Sequence, residues 1–152
     1  MMKGKNRQVK DVIVKTAADF FTPIALVLGF YIILHGHLSP GGGFQGGVLV
    51  ASAVVLIYLG YGYNEVSKKF NMEIIKKNEA LGAILFTVFG LAGIIYGSVF
   101  FANVFTNIGD VGDLISAGTI MFMNNSVGYK VLTGVGFLIL LMIGLLAPDN
   151  DN

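Results

Sequence analysis

The sequence contains no cysteine and no tryptophan, only two histidines and three prolines, and charge on just 12% of its 152 residues. Without cysteine there are no disulfides, no iron–sulfur ligation, no thiolate zinc site and no cysteine nucleophile. Two histidines leave a thin vocabulary for acid–base or metal chemistry, and neither a catalytic residue nor a metal site is expected. Typical soluble domains carry about 25% charged residues. With half that density and 55% hydrophobic residues, a soluble globule of this length cannot cover its own surface. The same composition excludes a disordered chain, which is poor in apolar residues and rich in charge. The net charge of +1 makes no case for nucleic acid.

What is present is apolar length. A membrane-spanning helix needs about 20 apolar residues to cross roughly 30 Å of hydrocarbon. Four stretches meet or approach that: residues 17–34, 44–63, 80–101 and 127–147. The expectation is an all-α integral membrane protein of four transmembrane helices, a single domain over residues 1–152. Lys3, Lys5, Arg7, Lys10 and Lys15 precede the first span, and Lys68, Lys69, Lys76 and Lys77 lie between the second and third. The connections 38–43 and 103–126 contain no lysine or arginine. The positive-inside rule then places both termini in the cytoplasm, in a multi-pass protein of the cell membrane. No small-x-small site follows the first apolar run, so it does not read as a cleavable signal.

Several local readings follow. Val9, Val12, Ile13 and Ala17 share one helical face, which lies at the interface or extends the first helix. Lys15 and Asp19 are spaced to pair on that helix. Asn78 and Glu79 read as a cap and a first-turn acid for the third span. Residues 114–123 are apolar but too short to cross, so they read as a re-entrant or interfacial helix. Tyr58, Tyr61 and Tyr63 form an aromatic belt at one end of the second span. Pro148 ends the fourth span. Glycines spaced by four, such as Gly93 and Gly97, allow helices to approach closely in lipid.

The most informative stretch is His35-Gly36-His37-Leu38-Ser39-Pro40-Gly41-Gly42-Gly43-Phe44-Gln45-Gly46-Gly47, which joins spans one and two. Pro40 fixes one backbone angle, and the glycines after it permit positive φ or close backbone contact. A phosphate-binding loop needs a lysine after its glycines, and none follows. Haem ligation is poorly served by two histidines two residues apart.

This stretch resembles the signature of the B subunit (MnhB/MrpB-like) of Mrp-type multisubunit sodium/proton antiporters. That family carries His-x-x-Pro-Gly-Gly-Gly-Phe at the end of its first helix, and His37, Pro40, Gly41, Gly42, Gly43 and Phe44 match it. The resemblance continues in Glu79-Ala80-Leu81-Gly82, in Gly90-Leu91-Ala92-Gly93 and in Gly97, and it covers nearly the whole chain. Many such subunits open the fourth span with Asp-x-Gly-Val, whereas this chain reads Asn124-Asn125-Ser126-Val127-Gly128-Tyr129-Lys130-Val131. Similar subunits belong to archaeal membrane-bound hydrogenases and sulfur-reducing complexes. The departure leans toward that redox-driven branch.

The resemblance implies a non-catalytic transport subunit, not an enzyme in itself, that helps build a sodium-translocation module. It implies no cofactor in this chain, with sodium and protons as the cargo of the complex. Its partners are the other antiporter subunits, or hydrogenase-like and iron–sulfur subunits in the redox-driven relatives, within membrane lipid. The alternative is an assembly subunit outside the ion path. His37 either accepts protons near the membrane surface or ties the loop by hydrogen bonding. Lys130, the only charge inside a clearly apolar span, belongs to an ion path or an intersubunit salt bridge, with Asp110, Asp113 or an acid on another subunit as its partner. Otherwise it snorkels about 6 Å to the near surface. Asp19 is a weaker candidate at the other edge. Pro40, Gly41, Gly42, Gly43, Gly46 and Gly47 shape the loop, Phe44 anchors it by packing, and Gln45 and Ser52 are candidates to line a wet path.

Overall fold

Residues rich in leucine, isoleucine and valine, interrupted by glycine, fold here into helices, with no strand among the described residues. In the computed structural model, which describes residues 2–97 and 99–146, the helices are α1 (Met2–Leu34), α2 (Gly43–Tyr61), α3 (Tyr63–Lys69), α4 (Met72–Gly97) and α5 (Thr119–Leu146). Four of them are long and apolar enough to cross a membrane: Val12–Leu34, Gly43–Tyr61, Met72–Gly97 and Thr119–Leu145. One end of the array carries the Pro-Gly loop, and the other carries α3 and the lysines around it.

The long helices stand in an open row, in the order α1, α2, α5, α4. Among the described residues α1 packs on α2, α2 on α5 and α5 on α4, while α4 touches neither α1 nor α2. The buried share of each span follows from that order. It is 39% for α2 and 28% for α5 in the middle, but 17% for α1 and for α4 at the edges. Lipid supplies no water-driven force between helices, so close backbone packing has to hold the row. Gly46 meets α1 so tightly that a Cβ would sit 2.7 Å from the Gly29 carbonyl oxygen and 2.8 Å from the Ile33 amide. On the other side of α2, a Cβ on Gly47 would lie 2.7 Å from the Gly128 carbonyl oxygen of α5. The α2 glycines are therefore the seam of the row.

Several boundaries differ from expectation, each for a local reason. α4 begins at Met72, not near residue 80. Asn71 Oδ1 accepts the amides of Glu73 (2.9 Å) and Ile74 (3.3 Å), so the capping residue is Asn71 and not Asn78. The lysine-rich connection is mostly helical, with Val66 of α3 fully buried beneath it. α5 begins at Thr119, so residues 119–123 are its opening turns and not part of a separate re-entrant helix. Thr119 is fixed there by Asn103, whose Oδ1 accepts both the Thr119 amide and its hydroxyl at 3.0 Å. α1 runs on unbroken through the segment 8–19, whose apolar face thus extends the first helix. Pro148 lies outside the described residues.

Candidate functional site

Two pairs of polar side chains join α4 to α5. Lys130 of α5 donates from Nζ to Glu79 Oε1 of α4 at 3.2 Å. One residue back on each helix, the Tyr129 hydroxyl donates to Asn78 Oδ1 at 2.9 Å. Two polar doublets thus face each other across the α4–α5 seam. Gly82 makes room for them: a Cβ there would lie 2.9 Å from the Cα and Cβ of Lys130. Gly134 flanks the carboxylate, and a Cβ on it would stand 3.3 Å from Glu79 Oε1.

This geometry replaces two expectations for Lys130, the snorkel and the pairing with Asp110 or Asp113. With α5 starting at Thr119, Lys130 lies about 16 Å along its helix from the Pro-Gly end, and Glu79 lies about 10 Å along α4 from the lysine-rich end. The ammonium reaches sideways to α4 and does not snorkel. Asp110 and Asp113 are not its partners: both are exposed, and Asp113 Oδ2 accepts the Asp110 amide within the loop at 3.2 Å. Glu79 is a spanning-helix residue, not a first-turn acid. The side chains of Lys130 and Glu79 remain 45% and 34% exposed. They open into a groove of about 320 Å³ lined also by Val131, Gly134, Val135, Phe137 and Leu138.

At the Pro-Gly end the organising residue is Asn124. Its Nδ2 donates to the Ile33 carbonyl at the end of α1 (2.7 Å), and its Oδ1 accepts the Gly43 amide at the start of α2 (2.6 Å). Leu38 and Ser39 also donate their amides to the His35 carbonyl. The loop is thus tied by backbone groups and by Asn124, not by His37. Both ring nitrogens of His37 are buried with no protein hydrogen-bond partner among the described residues, as is Asn125 Oδ1. His35 Nδ1 donates to the Tyr31 carbonyl at 3.0 Å, and the two rings stack. None of Gly41, Gly42 and Gly43 adopts positive φ; Gly42 stands at −151°. Their glycine character therefore serves approach. A side chain at Gly43 would collide with the α5 backbone at Asn124 and Gly128. Phe44 is 61% exposed, so it does not anchor the loop within this chain. The Ser52 hydroxyl donates to its own helix at Leu49 (2.7 Å), while Gln45 is exposed.

Asp19 is joined to another helix. Its Oδ1 accepts the Tyr61 hydroxyl of α2, and Lys15 Nζ lies 5.8 Å from the centre of the Tyr61 ring. Tyr61 replaces the expected Lys15–Asp19 pair with a tie between α1 and α2. Sequence reasoning missed Glu79 as Lys130's partner, and missed Asn78, Tyr129 and Asn124. The available signal was the matching doublets, Asn78-Glu79 and Tyr129-Lys130, each polar in consecutive positions on helices of opposite direction.

The family model described as "Domain related to MnhB subunit of Na+/H+ antiporter" matches residues 13–146. An uncharacterized protein of Methanocaldococcus jannaschii is 37% identical over 129 residues, covering 81% of this chain and 48% of that protein, so the chain spans about half the length of that relative. A putative antiporter subunit of Staphylococcus haemolyticus is 29% identical over 137 residues, covering 89% of this chain and 94% of the relative. A chain in the structure of the membrane-bound sulfane sulfur reductase, an archaeal respiratory membrane complex, superposes with a TM-score of 0.70 at 29% identity, over 86% of this chain and 57% of that one. The chain belongs to the family of domains related to the MnhB subunit of Na+/H+ antiporters.

Proposed function

We propose that this chain is a non-catalytic membrane subunit of a cation/proton-translocating complex, in which it helps form the sodium-translocation module. The observation that carries this is the Glu79–Lys130 pair at 3.2 Å within two spanning helices. An intramembrane ion pair is costly to keep, and such residues by default mark ion or proton routes. The carboxylate and ammonium, half open to a groove, can exchange a proton or bias the field felt by a passing cation. His37, with its ring nitrogens buried and unpartnered by protein, is a second titratable group, in the Pro-Gly loop. The lysine-rich end faces the cytoplasm, with both termini inside, in the cell membrane. Sodium and protons are the cargo, and this chain needs no cofactor.

Two drivers fit the role: a proton gradient in an Mrp-type antiporter, or redox chemistry in attached hydrogenase-like and iron–sulfur subunits. The likeness to a sulfane sulfur reductase chain supports the redox-driven branch, and the likeness to a putative antiporter subunit over 94% of its length supports the antiporter branch. The test is sodium-dependent transport per assembled complex in vesicles. Lys130→Met is expected to lower it severalfold. Unchanged transport per complex would leave the chain as an assembly subunit outside the ion path.

A further inference from the structure

We propose that the groove over Glu79 and Lys130 seats a transmembrane helix of a neighbouring subunit, one that presents a hydrogen-bond acceptor at the level of Lys130. The inference rests on the reading of this chain as part of a multisubunit complex and names the surface through which it joins. An ammonium has three N–H donors. Glu79 takes one of them here, and 45% of the Lys130 side chain remains uncovered. In water that exposure costs nothing. In hydrocarbon no solvent meets the remaining donors, and an ionised group left to lipid is unfavourable. The pair lies about 10 Å along α4 from Met72, just past Lys76 and Lys77, and about 16 Å along α5 from Thr119, and the lysine is already committed sideways.

The shape of the groove favours a helix over a lone lipid chain. α4 is the edge of the row and touches only α5 among the long helices, so the angle between them is open to a further helix. Gly134 lowers the groove wall beside the carboxylate, and Leu138, 56% exposed, offers an apolar shoulder one turn further on. The opposite side of α5 is different in character. There Leu132, Thr133, Gly136 and Leu140 line an apolar hollow of about 310 Å³ with no charge in its wall. At 3.6 residues per turn these two sets lie on opposing faces of α5. One face thus asks for apolar cover, and the other for cover that also accepts hydrogen bonds. Asp, Glu, Asn or Gln on the incoming helix supplies that acceptor.

This chain has no cysteine, so one introduced in it is its sole thiol, and the product is identified by mapping it to residue 138. Leu138→Cys, in the complete complex in its native membrane, is loaded with a thiol-linked benzophenone and irradiated. The expected product joins residue 138 to one transmembrane helix of a partner subunit, mapping within about one turn of an Asp, Glu, Asn or Gln. Adding Lys130→Met should cut that product by about fivefold or more, as one interhelical hydrogen bond is lost. Val135→Cys repeats the measurement from the groove wall should Leu138→Cys assemble poorly. Products with lipid alone, or with a helix lacking such a side chain, would overturn the proposal. So would rapid labelling of the thiol by a charged, impermeant maleimide, which would show a water-filled groove. Transport assayed on the same membranes separates the two ideas. If Lys130→Met lowers transport but leaves the product unchanged, the docking surface is wrong and the proposed function stands.

Discussion

Gly43 and Asn124, 81 residues apart in the chain, meet through a 2.6 Å hydrogen bond that fastens the start of α2 to α5. The same Asn124 side chain reaches the last turn of α1 through Ile33. One amide therefore holds three helices at the Pro-Gly end, using its acceptor for one and its donor for another. Ser126, two residues on, is buried and donates to the Phe122 carbonyl of its own helix at 2.8 Å. Polar groups in the stretch where the resemblance anticipates an acid thus have structural work to do. A carboxylate at position 124 could accept from Gly43 but could not donate to Ile33.

Asn124→Asp should accordingly destabilise the assembled protein. It takes the 2.7 Å amide donor from the Ile33 carbonyl, which keeps the 3.5 Å bond from the Gly36 amide, and sets a carboxylate oxygen against it, a loss of about 1–3 kcal/mol. The check is thermal unfolding of the purified complex, with a melting temperature lowered by several degrees. A melting temperature equal to the parent's would mean that the staple contributes nothing.

Gly46→Ala should break the α1–α2 seam, whereas Gly136→Ala should be silent. At Gly46 the added methyl meets the α1 backbone at 2.7 and 2.8 Å; at Gly136 it meets nothing within 4 Å. Backbone atoms cannot rotate aside as a side chain can, so overpacking here costs about 1–3 kcal/mol or more. The yield of folded complex after mild detergent extraction reads the contrast. Equal yields for the two variants would contradict the tight seam.

Pro40→Gly should weaken assembly without touching any contact inside the row. Pro40 is exposed, and its ring restricts the loop between His37 and Gly41. Replacing it adds backbone freedom that docking must then remove, about 1 kcal/mol. A lower yield of complex with normal helix content by circular dichroism is the expected pair of results. Unchanged yield and transport would show that the loop's stiffness is irrelevant.

The spans were readable because a membrane helix must satisfy its own backbone, which leaves long apolar runs that any chain of this kind displays. The Pro-Gly motif was readable for its unusual composition. Its physical use was not, since three glycines in a row suggest a turn of positive φ and instead clear a path for α5. Glu79 was misread for a related reason. It follows Lys76 and Lys77, so hydropathy ends the span beside it, and only Asn71 reveals that the helix has already begun. The pairing of Glu79 with Lys130 lies wholly in tertiary structure, between residues 51 apart. Phe44 shows the same limit from the other side: an aromatic in a tight loop suggests an anchor, yet within this chain it has little to hold.

The ion pair supplies the sharpest test of what this chain is for. Lys130→Met alone strands the Glu79 carboxylate inside the span, and Glu79→Gln alone strands the ammonium. A lone charge at the centre of a membrane helix costs about 2.5–3.5 kcal/mol on insertion scales, and less toward the end where Glu79 lies, so each single variant should reduce the yield of complex, Glu79→Gln the more. The double variant removes both charges, and a matched neutral pair is commonly as stable as the ion pair it replaces. Its yield should therefore recover toward the parent's. Transport should not recover, if the charges act on the moving ion and not only on assembly. Yield and sodium-dependent transport, measured on the same vesicle preparations, separate the two roles. Recovery of both would assign Glu79 and Lys130 to assembly alone; recovery of yield without transport would place the pair in the mechanism.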